Sequence, residues 1–384
     1  MTNLTKFQKR SFDSGRHFQN EASLSIDYLA PRGHQTIKDP YVNYRQELYT
    51  TTSDVLGTNI SFILPDFGNL VDLISTAIFD QTTTASYSQM FHTNAHDTIK
   101  CYHGGKPYIE LDNIVQIVNS RIPTLTSSQQ AEVITLAGGL TPATTSADQY
   151  TSMILPLPIS HFWFKCEPFP LRQGYKSKNE IKIKFKAGTD LIDTGATGYA
   201  TSSYECVAVM MDYISEVLSQ NRTTAKPIYT FYPFVNRKSA VTTATTTAVQ
   251  LSNDGITAHF SIIPHLSSDI TANEEMKNKA LDEVTLYIDG LQHDVYTSAR
   301  EARCHALIQG YQPNSSTGYI TQVAVGNLFN TQKPHYTGGY ELSSFKSFEL
   351  RVKHSLGADA DIDIVSFVHC MFKYSPHNII KRIT

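Results

Sequence analysis

The sequence predicts an all-β protein made of two antiparallel β-sandwiches in tandem. Apolar and polar residues alternate with period 2 in run after run from about residue 47 to residue 374. Asp-Gly and Gly-Gly pairs interrupt these runs where hairpin turns belong. The stretch SQNRTTAKP, residues 219–227, separates two halves with the same pattern. The expected division is an arm over 1–46, a first sandwich over 47–218, a linker over 219–227, a second sandwich over 228–374 and a tail over 375–384.

The arm is polar and carries Lys6, Lys9, Arg10 and Arg16 against Asp13. In TNISFILP, Ile60, Phe62 and Leu64 share one face. FGNLVDLISTAIF is ambiguous, because Leu70, Val71, Ile74 and Ile78 also fit a helical stripe. CYHGGKPYIEL reads as a hairpin turning at Gly104-Gly105. SSQQAEVITLAGG reads as a short helix, with Ser127 and Ser128 as candidate caps and Gly138 as its stop. In LPLPISHFWFK, Pro156 and Pro158 alternate with Leu155, Leu157 and Ile159, giving an extended segment that cannot donate a full hydrogen-bond ladder. Trp163, the only tryptophan, reads as a core aromatic. NEIKIKFK sets Ile181, Ile183 and Phe185 against Lys182, Lys184 and Lys186, a strand with one face in a core and one in solvent.

In the second half, VQLSNDGITAHFSI reads as a hairpin around Asp254-Gly255, and NEEMKNKALDE as a short surface helix. DEVTLYIDGLQHDVY puts Val284, Leu286 and Ile288 on one face before a type I′ turn at Asp289-Gly290. SFELRVKH alternates. DIDIVSFVHCMFKY is apolar on both faces, which predicts a central strand covered on both sides.

Charged residues make up 17% of the chain, against roughly 25% in an ordinary soluble domain, and aromatics 11%. Such a surface suits a protein covered by something other than water. The net charge of −3 excludes a generally basic nucleic-acid binder, and no sequence-specific nucleic-acid contact is expected. Cysteines 101, 166, 206, 304 and 370 form no metal or disulfide spacing and are expected to be reduced and buried. The first residues lack an apolar signal core and no run of 18 apolar residues occurs, so the expectation is a product made in the cytosol.

Little in the sequence carries catalysis, and no enzyme activity, cofactor or metal is expected. The 14 histidines never fall as HxH or HExxH. His161, His259 and His265 are expected to be structural. Asp359, Asp361 and Asp363 alternate along one strand without the turn a calcium loop needs. Asp190 and Asp193 in GTDLIDTG match half of an aspartic-protease signature, without a second copy.

Read in order, several of these segments resemble the double jelly-roll major capsid proteins of icosahedral DNA viruses, most closely those of nucleocytoplasmic large DNA viruses such as iridoviruses and phycodnaviruses. The matching segments are ISFILPDFGNLVDLISTAIF; Leu155 to Pro158 with Phe162-Trp163-Phe164, Phe169-Pro170-Leu171 and Asn179 to Ile183; VAVMMDYISEV; TLYIDGLQHDVY; TGGYELSSFKSFELRVKH; and DIDIVSFVHCMFKY. Gly338-Gly339 stands where the family has Pro-Ser-Gly, and SFKSF lacks the family's Asn. The resemblance implies two tandem eight-stranded antiparallel jelly rolls with a few short helices in loops, and it makes FGNLVDLISTAIF a strand. It implies a structural protein, made in the host cytoplasm and placed in the virion. Three copies would form a pseudo-hexagonal capsomer that contacts neighbouring capsomers, minor capsid and penton proteins, and an internal lipid membrane. The segment with Pro156, Pro158, Phe162, Trp163, Phe164 and Pro170 is then a core or subunit-contact element, its burial completed by neighbouring subunits. Lys6, Lys9, Arg10, Arg16, Lys373, Lys381 and Arg382 would face the interior or the membrane. The alternative is a carbohydrate-binding β-sandwich, or a minor or vertex capsid protein.

Overall fold

The computed structural model describes residues 41–81, 88–140, 148–171, 177–191, 199–213, 227–239, 245–252, 254–266, 279, 281–308, 320–324, 338–356, 360–374 and 380–383. The first half supplies β1 (Tyr41–Thr51), β2 (Asn59–Ile63), β3 (Asn69–Gln81), α1 (Phe91–Ala95), β4 (His96–His103), β5 (Lys106–Asp112), α2 (Ile114–Arg121) and α3 (Ser127–Leu136). It continues with β6 (Gln149–Ile154), α4 (His161–Phe164), β7 (Phe169–Pro170), β8 (Asn179–Phe185) and β9 (Tyr199–Tyr213). The second half supplies β10 (Ile228–Ser239), β11 (Thr246–Gln250), β12 (Ile256–Leu266), β13 (Glu283–Ile288), β14 (Leu291–Tyr296) and α5 (Ala299–Ile308). Then come β15 (Thr321–Ala324), β16 (Tyr340–Glu341), β17 (Phe348–Lys353), β18 (Ala360–Tyr374) and β19 (Ile380–Ile383).

The two halves are wired alike. The first pairs its strands β1-β9-β3-β6 and β2-β8-β4-β5; the second pairs β10-β18-β12-β15 and β11-β17-β13-β14. Position for position the order is the same, and in each half it is the two-sheet wiring of an eight-stranded jelly roll. The local causes are those of the alternating pattern. Ile60 and Phe62 of β2, Ile181, Ile183 and Phe185 of β8, and Leu350 and Val352 of β17 are buried, while Lys182, Lys184 and Arg351 between them stay in water. The stretch FGNLVDLISTAIF is strand from Asn69 onward, within β3. Gly104-Gly105 and Asp289-Gly290 turn the β4–β5 and β13–β14 hairpins, all four residues at positive φ as a type I′ turn requires. β18 lies between β10 and β12 and is buried along nearly its whole length.

Several expectations need correction. Asp254-Gly255 joins β11 to β12, which lie in different sheets, so the pair turns a sheet-to-sheet crossover and not a hairpin. The helix α3 is capped by Thr126, whose hydroxyl accepts from Gln129 N in a capping box, and not by Ser127 or Ser128. Its end does fall at glycine: Gly138 and Gly139 both have positive φ, and a Cβ on Gly138 would meet the Phe91 ring at 2.4 Å. β1 begins at Tyr41, inside the stretch read as arm. β19 lies in the stretch read as tail and pairs antiparallel with β18, Arg382 opposite Phe372. Four cysteines are buried, but Cys304 is exposed on α5. The arm up to residue 40, with Lys6, Lys9, Arg10 and Arg16, lies outside the described residues. So do most of NEEMKNKALDE, the linker up to residue 226, Asp193 and Asp359.

One core spans the whole first sandwich and continues into the second through Phe231, Ile263, Val365, Phe367 and Phe372. A smaller core, around Phe260, Ile262, Ile362, Ile364, Phe348 and Leu350, fills the second sandwich. The β10-β18-β12-β15 sheet, extended to six strands by β16 on β12 and β19 on β18, is therefore buried on both faces, one of them against the first sandwich.

Candidate assembly faces

The proline-broken segment forms the joint between the sandwiches. Residues 155–160 are buried, and Pro156 and Pro158 keep them from pairing as a strand. The freed carbonyls are used across the joint instead: the Thr230 hydroxyl of β10 donates to Pro158 O at 2.5 Å and lies 2.9 Å from the Cys166 thiol. Burial pushes that thiol up to about 12, so it stays protonated. Ser160 then starts α4, its hydroxyl accepting from Trp163 N at 3.2 Å and donating to Asp72 Oδ1 at 2.5 Å. The HFWF run is thus a helical turn. The Trp163 indole donates to Ile154 O at 2.8 Å.

Arg121, at the end of α2, is 1% exposed. Its Nε and Nη2 both donate to Trp163 O, at 3.1 and 2.5 Å. Its guanidinium lies 5.0 Å from the Phe164 ring of the first sandwich and 5.4 Å from the Phe367 ring of the second. A buried cation held by a carbonyl and two aromatic rings joins the halves. Sequence reading missed Arg121, because IVQIVNSR carries no marker that separates a joint from an ordinary helix end.

Trp163 and Phe164 are buried, Phe162 and Pro170 half-buried. Pro156, Pro158, Trp163 and Phe164 are buried within this chain, and Thr230 of the second half holds Pro158 O.

The C-terminal basic residues have different settings. Lys373 is exposed. Arg382 sits 4.2 Å over the Tyr232 ring. The Tyr232 hydroxyl in turn bridges both backbone groups of Glu110 on the edge strand β5, at 2.7 and 2.6 Å. Burial holds the Tyr232 phenol up at about 12. Arg382 thus forms part of a second joint between the halves.

The outward faces of the sheets differ in kind. The β2-β8-β4-β5 face carries Lys100, Lys182 and Lys184, paired with Glu110, Glu180 and Asp97 at 3.7, 3.5 and 2.6 Å. The β11-β17-β13-β14 face carries Arg351 over the Tyr287 ring and bonded to Glu349. These are solvated, ion-paired surfaces. The β1-β9-β3-β6 face is apolar at its centre: Ile74 of β3 stands between Val207 of β9 and Ile154 of β6, with Val209 and Ile78 beside them and Tyr150 77% exposed at the edge. Val207 belongs to neither core. Val207 is 3% exposed and Ile74, Ile78, Val209 and Ile154 are half-buried, so the centre of this face is apolar and largely covered.

Chemistry is sparse. Among the described residues no three His, Cys, Asp or Glu side chains gather as a metal site would need. Asp363 is fully buried and held bidentate by Arg237 at 2.9 and 3.0 Å, with His265 3.6 Å away. His259 stacks on Phe367 at 4.3 Å, and the His161 ring bonds Cys166 O at 2.7 Å. A cleft of about 500 Å³ between β1, the end of β2 and residues 177–179 is lined by Glu47, Ile63, Asp66 and Lys178, with no histidine or cysteine.

No protein-family model and no curated protein matches the chain. Solved structures do. The PBCV-1 VP54 structure fitted into a reconstruction of the virophage Sputnik superposes with a TM-score of 0.72 at 7% identity, covering 90% of this chain and 97% of that one. The PBCV-1 capsid model gives 0.71 at 8% identity, over 90% and 98%. The mavirus major capsid protein gives 0.55 at 9% identity, over 88% and 90%. The fold is the double jelly roll of viral major capsid proteins.

Proposed function

We propose that this chain is the major capsid protein of an icosahedral virus, a structural protein and not an enzyme. The observation that carries this reading is the duplicated jelly roll, shared end to end with capsid chains of nearly the same extent. Three copies form a pseudo-hexagonal capsomer, because two like sandwiches per chain repeated three times give six similar edges. Capsomers tile with one another and with minor and penton proteins, and basic termini including Lys373 and Lys381 face an internal anionic membrane.

Size exclusion with light scattering tests the trimer. The expected mass is three times 42.9 kDa. A mass of one chain before any denaturant would contradict it and would favour a β-sandwich lectin. Membrane contact is tested separately, by binding of the trimer to anionic liposomes across a salt series, with and without residues 1–17. Binding unchanged by salt and by the deletion would remove the electrostatic role.

A further inference from the structure

The two sandwiches share no strand: each sheet is built from one half alone, so side chains hold the halves together. Where α2 meets β10, β12 and β18, those side chains form one compact group. His259 of β12 is fully buried, stacks on the Phe367 ring of β18 at 4.3 Å and meets the Phe231 ring of β10 edge-on at 5.4 Å. The Arg121 guanidinium of α2 lies 5.4 Å from the same Phe367 ring. The His369 ring lies 5.2 Å from Phe231, and its Nε2 bonds Gly338 O at 3.1 Å.

Among the described residues, the charged and titratable groups around His259 are Arg121 from α2 and His369 from β18; β10 brings Phe231, and β15 brings Ala324. The carboxylates of the region are engaged elsewhere. Asp363, four residues further along β18, is held by Arg237, and Asp72 of β3 accepts from the Ser160 hydroxyl and Phe162 N. Burial first, then Arg121 and His369, hold the His259 ring neutral, well below the usual imidazole range. Burial lowers His369 as well. If the joint parts, His259 meets water and recovers an ordinary pKa of about 6.5. The parted form then binds more protons than the closed one. The closed joint is therefore fully favoured above that pH and loses ground as pH falls below it.

We propose that the joint between the sandwiches is an acid-sensitive latch: on acidification His259 takes up a proton beside Arg121 and the halves part at the contact between α2 and β12, each sandwich keeping its own fold. For His259 alone, the balance should move roughly twentyfold towards the parted form between pH 7 and pH 5. The latch is distinct from His92 and His96, which are buried inside the first sandwich, and it does not depend on the trimer.

Cys166 reports on the joint, because its thiol lies 2.9 Å from the Thr230 hydroxyl of β10. Cys101 and Cys206 are buried in the first core and report on the sandwich itself, while the exposed Cys304 sets the reference rate. The full-length protein is labelled with a dipyridyl disulfide, which reacts with thiols in acid, and each cysteine is read by peptide mass. From pH 7 to pH 5, labelling of Cys166 relative to Cys304 should rise about tenfold or more, with Cys101 and Cys206 unchanged. His259→Phe, which keeps the ring stack without the proton, should abolish the rise, and His259→Gln should do the same where the phenylalanine disturbs folding. His96→Phe should leave the rise in place. No rise at Cys166, a parallel rise at Cys101 and Cys206, or a rise that survives both His259 variants would overturn the latch.

Discussion

At the scale of residues, buried polar groups do more to define this molecule than any reactive one. Arg121 bonds Trp163 O and lies over Phe164 and Phe367 at the point where two sandwiches meet. Arg121→Ala should lower stability by about 3 kcal/mol, since it leaves Trp163 O unsatisfied and opens a cavity beside Phe164 and Phe367. Arg121→Met, which fills the space, should cost less, and urea unfolding of the two variants compares them. His92 and His96 stack at 5.4 Å inside the first sandwich, bonded to Ser75 Oγ and Tyr204 OH. Burial holds both rings neutral, His96 at about 4 and His92 well below its usual value. Their folded pKa values lie below the unfolded one, so the unfolded chain binds more protons in the window between. The stability they permit is complete above about pH 6.5 and is lost as pH falls toward 4, by roughly 3 kcal/mol for His96 alone. Thermal unfolding from pH 7 to pH 4 should show this slope, and His96→Phe should flatten it.

At the scale of elements, the strands with one wet face were legible and the joints were not. Ile181, Ile183 and Phe185 against three lysines can only be a half-buried strand, and Asp289-Gly290 can hardly be other than a hairpin. Asp254-Gly255 has the same chemistry yet turns between sheets, because a turn sets a local bend and leaves the partner strand to long-range packing. Trp163 was visible as a core residue. That its segment would be a capped helical turn depended on Ser160 finding Asp72, a residue 88 positions away. β19 was hidden because its four residues alternate too briefly to separate from a polar tail, and its purpose lies in Tyr232 and Glu110. Removing residues 380–384 should expose the Tyr232 ring and speed hydrogen exchange in β5 and β10, with β13 and β17 unaffected. Exchange unchanged in β5 would show that the Arg382–Tyr232 stack holds nothing. Thr126→Ala should cost about 1 kcal/mol through loss of the capping box.

At the scale of the whole molecule, duplication explains both the shape and the proposed assembly. The same strand order occurs twice, and the second copy's long sheet is buried against the first sandwich by a helix, a buried arginine and a proline-freed loop. The low charge is unevenly distributed: two outward faces are laced with ion pairs, and one is apolar at its centre. That asymmetry suits a building block whose contacts are chosen face by face. The most direct test is electron microscopy of the full-length protein at assembly concentrations. The account expects three-fold particles with a pseudo-hexagonal outline, or shells built from them. Compact single-chain particles with no three-fold class at any concentration would contradict it.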